Sequence, residues 1–316
     1  MATILLSGSL AYDRIMVFPG LFKDHFLPDK LHNINVSFMV PRQIEHFGGT
    51  AGNIAYSLAL LGERPKLIAS VGNDFMKYRA HLDARHVDTE LLQYATETGT
   101  ATAHIITDKA DNQISAFYPG ALAMPYKKDL PLGSETMAVV SAGCLDDMRS
   151  LPARFREKGI PFLYDPGQAL TSLSPDDVRT GVEGAEVVFA NDYEFHLIAK
   201  QTGWDEKAIL ERARVLVITH GAEGSRVMTA AGETRVPVVP LKEAKDPTGA
   251  GDAYRAGYIK AMLLGREPDE CAKLASVVAA YCVEKEGTQE HTFTLDELKE
   301  RYKAGYSQDL MLEDTA

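Results

Sequence analysis

Basic residues are in deficit: 33 Lys and Arg stand against 44 Asp and Glu, a net charge of −11 over 316 residues. That balance argues against recognition of nucleic acid through a broad basic surface, while leaving room for a small anion in a local positive pocket. Cysteine is scarce as well. Cys144, Cys271 and Cys282 lie far apart with no Cys-x-x-Cys pair, which speaks against a disulfide framework or a zinc site and suits a reducing compartment. Cys271 and Cys282 fall in an Ala/Val-rich helical stretch, where a thiol serves as packing. No apolar run approaches the roughly 18–20 residues of a membrane span. The opening Met1-Ala2-Thr3-Ile4-Leu5-Leu6 lacks the basic start and long apolar stretch of a signal peptide and reads as a first strand. A cytoplasmic location is therefore expected. Repeats, low-complexity tracts, an interdomain linker and the His-Glu-x-x-His and Gly-x-Ser-x-Gly patterns are also missing.

What is present is an ordinary globular composition, 45% hydrophobic and 24% charged, long enough for one large domain or two modest ones. Short apolar runs at 4–8, 67–72, 137–142, 161–165, 187–190 and 215–219 read as buried strands, and several end in small or polar residues, as parallel strands do at a ligand edge. Helical patterns occupy 50–61, 75–85, 150–158, 192–201, 205–212 and 253–264. The alternation predicts a doubly wound α/β fold with a mainly parallel sheet. Two segments break it. Residues 12–47 contain Pro19, Pro28 and Pro41 and a strand-like piece at 33–38, and 100–118 reads as a hairpin about a polar turn at 108–112. They are expected either to form a small β lid, 14–46 with 100–119, over a body of 1–13, 47–99 and 120–316, or to be edge strands of the main sheet.

The most informative run is Asp246-Pro247-Thr248-Gly249-Ala250-Gly251-Asp252, set between a strand-like 236–241 and the helical 253–264. A Gly-rich turn at a helix start aims free N–H groups and the positive end of the helix dipole at one spot. A carboxylate there repels a phosphate, so Asp252 makes sense as a base for an attacking hydroxyl. It could instead cap the helix. A second such turn, Gly48-Gly49-Thr50-Ala51-Gly52-Asn53, lacks the P-loop ending and the dinucleotide spacing. It is either a bare helix start or a floor for a ligand whose hydroxyls meet Asn53. Asp13, after the first strand, is either solvated or the acceptor for a diol. Asn191 and Glu194 are three apart at a helix start: they form a capping box, or they meet phosphate oxygens and a hydrated Mg²⁺. Thr219-His220-Gly221-Ala222-Glu223-Gly224 closes a strand with small residues, against which a purine or phosphate could lie. His220 is taken as incidental.

In this order the motifs resemble those of the ribokinase (phosphofructokinase-B type) family of carbohydrate and nucleoside kinases over nearly the whole chain. Residues 246–252 match its carboxyl-side signature, 48–53 its amino-side signature, Asn191 and Glu194 its N-x-x-E element, and 219–224 its T-x-G-x-x-G loop. The resemblance implies a doubly wound α/β domain with a small β-sheet lid. It implies that Asp252 is the base and that Gly249, Ala250, Gly251 and Asp252 supply the anion hole. Asn191 and Glu194 would then organise the phosphates of ATP and Mg²⁺, the latter through water. Thr219, Gly221, Gly224 and Thr248 would lie along the nucleotide, and Asp13, Gly48, Gly49 and Asn53 along the ribose. A monovalent cation such as K⁺ is implied beside the hole, with Asp246 and Thr248 as ligands; Pro247 departs from the Thr common there, but a loop carbonyl does not depend on its side chain.

Within the family the likeness is greatest to bacterial adenosine and nucleoside kinases, through 8–13, 46–56, 117–121 and 164–168. The expected reaction is phosphorylation of a nucleoside 5′-hydroxyl, adenosine to AMP in purine salvage. Inosine, guanosine or a free sugar such as ribose are the alternatives, and a catalytically silent nucleoside-binding protein is the rival from another class. Phe38, Met39 and Phe117 either sandwich the base or form the lid's own core. A monomer or a homodimer is compatible with the sequence, and neither nucleic acid nor membrane is expected as a partner.

Overall fold

A computed structural model describes residues 3–26, 32, 35–110 and 112–312. Met1 and Ala2 of the expected first strand, Pro28, Asn33 and Ile34 of the expected lid, and Asp111 of the expected turn lie outside them. The elements run β1 Thr3–Ser7, β2 Ala11–Val17, β3 Arg42–Gly48, α1 Thr50–Leu60, β4 Lys66–Ile68, β5 Ser70–Val71, α2 Met76–Asp83, β6 Gln93–Tyr94, β7 Ala101–Thr107 and β8 Gln113–Tyr118. There follow β9 Thr136–Ser141, α3 Leu145–Glu157, β10 Phe162–Asp165, α4 Pro175–Val182, β11 Val187–Asn191, α5 Asp192–Thr202, α6 Glu206–Leu210 and β12 Val215–Thr219. The chain closes with β13 Ser225–Thr229, β14 Gly232–Val236, α7 Ala250–Leu263, α8 Pro268–Val283 and α9 Leu295–Tyr306.

Eight strands form the main sheet in the order β14-β13-β12-β11-β10-β9-β1-β4. Neighbours are parallel except around β13, which is antiparallel to both β12 and β14. Every parallel strand is apolar on both faces, so the sheet must be covered twice. On one side Ile4, Leu6, Val139 and Val217 pack against α1, α7, α8 and α9; on the other Leu5, Val140, Val188 and Leu216 pack against α3 to α6. The crossovers diverge between β1, which leads toward β4, and β9, which leads toward β14. Such a switch point opens a crevice at the carboxyl ends of the strands.

Four strands stand apart in a second sheet, β3-β2-β7-β8. It extends past the expected lid bounds, because Ala11–Asp13 and Phe47–Gly48 already pair in it. Tyr12 and Phe47 anchor it to the body by packing on Tyr78 of α2. The expected strand at 33–38 is not formed over the described 35–38. Phe38 instead closes an aromatic cluster with Phe18, Phe22, His25 and Phe26.

Two further expectations are corrected. α3 begins at Leu145, not 150, with Asp146 and Asp147 in its first turn and Pro152 inside it. Proline's preference for a first turn suggests the later start, whereas the two acids complement the helix dipole at the true one. The strand-like 236–241 ends at Val236, since Pro237 and Pro240 remove the donors a ladder needs.

Candidate active site

The carboxyl ends of β10, β11 and β12, at Asp165, Asn191 and Thr219, converge on the start of α7. Gly249 is its N-cap, with φ +79° in the left-handed region; a Cβ there would sit 2.9 Å from Thr288 Cβ and Cγ2. Strain and contact together reserve the position for glycine. The Ala250 amide donates to Pro247 O at 3.1 Å, while among the described residues the amides of Gly249 and, within the helix, of Gly251 and Asp252 meet no acceptor. Free amides at the positive end of a 14-residue helix are disposed to hold an anion.

Asp252 does not cap α7. Its Oδ2 accepts from Asn53 Nδ2 at 2.7 Å. Burial pushes its carboxyl up to about 7, with the Asn53 hydrogen bond and Arg255 pulling down and Asp165 and Glu194 adding to the rise. A carboxyl poised near neutrality suits a base better than an ordinary Asp would. Asn53 is itself nearly buried and accepts from Gln289 Nε2 at 3.0 Å. Both ends of its amide are thus engaged, although one N–H remains for a ligand.

Asn191 and Glu194 form the capping box in full. Glu194 N donates to Asn191 Oδ1 and Asn191 N to Glu194 Oε2, both at 2.8 Å. Both side chains also line a polar cleft of about 450 Å³ together with Thr219, Gly221, Gly249, Gly251 and Asp252, so the cap and the cleft use the same residues. Burial, with help from Asp165, raises the Glu194 carboxyl above its usual range. A second cavity of about 370 Å³ lies alongside, walled by Gly224 and by Val238, Val239, Leu241 and Val283. The two cavities share Thr219, Gly221 and Gly251. An apolar slot thus opens directly onto the free amides of α7. Asp246 closes the loop behind it: Oδ1 accepts from Thr248 N at 2.9 Å and Oδ2 from Gly287 N at 3.0 Å. Among the described residues no cluster of three or more His, Cys, Asp or Glu suits a metal ion.

On the other side of Asp252 stands the second sheet. Its register places His46, Asp13, Ala103 and Phe117 in one row on one face. That face looks into the crevice, for His46 lies against Gly287 beside the hole. Asp13 is partly buried and, among the described residues, has no hydrogen-bond or ion-pair partner. Burial raises its carboxyl and His46 partly offsets the rise. A Cβ on Gly48 would come 2.5 Å from Asp13 Oδ2, and one on Gly49 (φ +89°) 2.5 Å from Ser9 O, so the first turn keeps the floor beneath Asp13 open. Phe117 is 58% exposed on the same face; Met39 is 88% exposed.

Several site residues escaped the sequence reading. Arg255 is one turn beyond Asp252 and donates Nε and Nη2 to Asp165, both at 2.9 Å, in a buried bidentate pair. Its Nη1 has no acceptor among the described residues and lies against Gly251, where a Cβ would approach it to 2.7 Å. The three-residue offset from Asp252 was the available signal. Gln289, Tyr78 and His81, behind Asn53, had none, and neither had the 238–241 wall.

The profile of the pfkB family carbohydrate kinases matches residues 12–294. The nucleoside kinase of Methanothermobacter thermautotrophicus is 33% identical over 311 residues, 95% of this chain and 96% of that protein. Mouse ribokinase is 27% identical over 263 residues, 77% of this chain and 80% of that protein. Among solved structures, Burkholderia thailandensis nucleoside kinase without ligand superposes with a TM-score of 0.84 at 36% identity, covering 95% of this chain and all of that one. Its inosine complex gives 0.84 at 32% identity, covering 98% and 100%.

Proposed function

The chain belongs to the pfkB family of carbohydrate kinases, and from that premise we propose that it transfers the γ-phosphoryl group of ATP to the 5′-hydroxyl of a nucleoside. Adenosine is the first expected acceptor, and the inosine complex of the Burkholderia relative supports inosine as a second. The observation that carries the reading is Asp252, a carboxyl titrating near 7 at two free helix amides. It stands between an apolar slot on one side and an unpartnered carboxylate, Asp13, on the other.

In this reading the donor's base lies in the slot under Val238 and Leu241, and its phosphates cross Gly251 into the polar cleft. Asp13 accepts the vicinal ribose hydroxyls and so aims the 5′-hydroxyl at Asp252, which takes its proton. The Gly251 and Asp252 amides and the free Nη1 of Arg255 draw the charge that builds on the transferring phosphoryl. Glu194 spends Oε2 on its cap, which leaves Oε1 facing the cleft near Gly167; this fits a hydrated Mg²⁺ held at one carboxylate oxygen. When bound, that ion would neutralise phosphate charge. The remaining lone pairs of Asp246, with the loop carbonyls about Thr248, fit a monovalent cation.

ATP consumption across adenosine, inosine, guanosine and ribose is the test. Turnover of a nucleoside above that of ribose supports the reading. Ribose as the better substrate replaces it with a sugar kinase. Thermal stabilisation by adenosine without any AMP identifies a silent binding protein.

A further inference from the structure

Behind the Asp252 carboxylate runs a chain of hydrogen bonds whose direction is fixed at its ends. At one end Arg85, which has only donors, gives Nη1–H to His81 Nδ1 at 3.2 Å. His81 must then carry its proton on Nε2, which faces Gln289 Oε1 at 3.0 Å. With its oxygen so engaged, Gln289 turns its Nε2 to Asn53 Oδ1 at 3.0 Å, and Asn53 turns its Nδ2 to Asp252 Oδ2 at 2.7 Å.

A second constraint gives the same answer. The carbonyl of Gly48 can only accept; Tyr78 donates its hydroxyl to it at 2.9 Å. The Tyr78 oxygen is left as an acceptor, and Gln289 Nε2 is what it faces. A guanidinium at one end and a carbonyl at the other thus orient both amides without reference to which amide atom is drawn as nitrogen. The links are shielded from water: Tyr78, Gln289 and Asn53 are 0%, 2% and 5% exposed. The guanidinium is held over the Tyr56 ring at 4.8 Å.

We propose that Arg85, His81 and Gln289 are positioning residues that set the polarity of this chain, so that Asn53 presents its NH₂ end and never its carbonyl to Asp252. The proposal rests on the reading of Asp252 as the base. A carbonyl at that place would pair only with the protonated acid and disarm it; the amide NH₂ stabilises the ionised form and keeps the base available. Arg255 on α7, Asp165 at the end of β10, Glu194 on α5, Tyr78 on α2 and Cys282 on α8 also bear on Asp252. The substitutions below leave those five in place.

The experiment is a carbon-13 titration of the Asp252 carboxyl in the unliganded protein, assigned by its loss in Asp252→Asn, so that it needs no turnover. Asn53→Leu should raise the midpoint by about one to two pH units, the worth of a hydrogen bond to a charged group. Gln289→Leu should raise it by about half a unit to one unit, and by nothing further once Asn53 is Leu, because no amide is then left to orient. Should a Gln289 variant fold poorly, Arg85→Met at the more exposed end serves. In the wild type, nitrogen-15 shifts should show His81 wholly as the Nε2–H tautomer; Arg85→Met should admit the other tautomer, and Arg85→Lys should restore the first. An unmoved midpoint in Gln289→Leu, a full shift persisting beside Asn53→Leu, or Nδ1–H in the wild type overturns the proposal. An inactive wild type on the nucleoside panel with this titration intact overturns the kinase reading alone.

Discussion

Replacing Asp252 by Asn should make the protein more stable and nearly inactive, with the gain in stability set by pH. Burial lifts the carboxyl from an ordinary 3.8 to about 7. Between those values the folded protein holds a proton that the unfolded chain has released, so wild-type stability falls as pH rises through the window. At 1.36 kcal/mol per pH unit, about three units correspond to ~4 kcal/mol lost by pH 8, an upper bound for a carboxyl that opens onto a cleft. Asn has the same shape, can still accept from Asn53 Nδ2, and cannot ionise. The variant should therefore match the wild type in urea unfolding near pH 4, draw ahead between about pH 4 and 7, and hold a constant advantage above that. Turnover should fall by about 10²–10⁴-fold, the usual share of general base catalysis, with nucleoside affinity retained in calorimetry. The wild type should lose kcat/KM as pH drops below about 7, where Asp252 is protonated. A stability difference that is the same at pH 5 and pH 8 refutes the electrostatic argument, and turnover within tenfold of wild type refutes the base.

Gly249→Ala should cost about 1–2 kcal/mol for the left-handed backbone, and more for the contact with Thr288, seen as a lower urea midpoint together with reduced kcat. Arg255→Met strands Asp165 in a buried site and should destabilise by about 3–5 kcal/mol; adding Asp165→Asn should recover most of that loss in unfolding experiments while kcat stays depressed. Phe117→Ala should raise KM for a nucleoside several-fold and leave any ribose phosphorylation unchanged, read in parallel steady-state assays.

The parts of the site that sequence makes legible are those in which one short run performs a whole function. Residues 246–252 contain the turn, the free amides and the carboxyl together, and 48–53 contain a floor and its amide. The strands that deliver Asp165, Asn191 and Thr219 are apolar runs with polar ends, and that pattern also discloses the sheet. Gln289 illustrates the opposite case. It lies in an irregular loop between α8 and α9, and its meaning comes from His81, Asn53 and Tyr78, more than 200 positions away in sequence. Asn53 shows a subtler limit. The sequence offers it as a partner for hydroxyls, and the fold gives most of its amide to Asp252 and Gln289, because an ionisable group at a partly buried helix start is satisfied before any ligand arrives.

In the proposed reading, substrate choice follows from what Asp13 cannot do. A vicinal diol is common to ribose and to nucleosides, so a carboxylate that reads the diol does not separate them. Separation must come from surface beyond the sugar, and the face that carries Asp13 also presents Ile15, Ile44, Ile105 and Phe117, with the small Ala103 between Asp13 and Phe117. Covering roughly 100 Å² of a purine against such side chains is worth about 2.5 kcal/mol at 25 cal/mol per Å², or about seventyfold in kcat/KM. A free sugar gains none of this. On that reading the apolar lid face would favour a nucleoside over a sugar, while the carboxyl at the start of α7 would act alike on either.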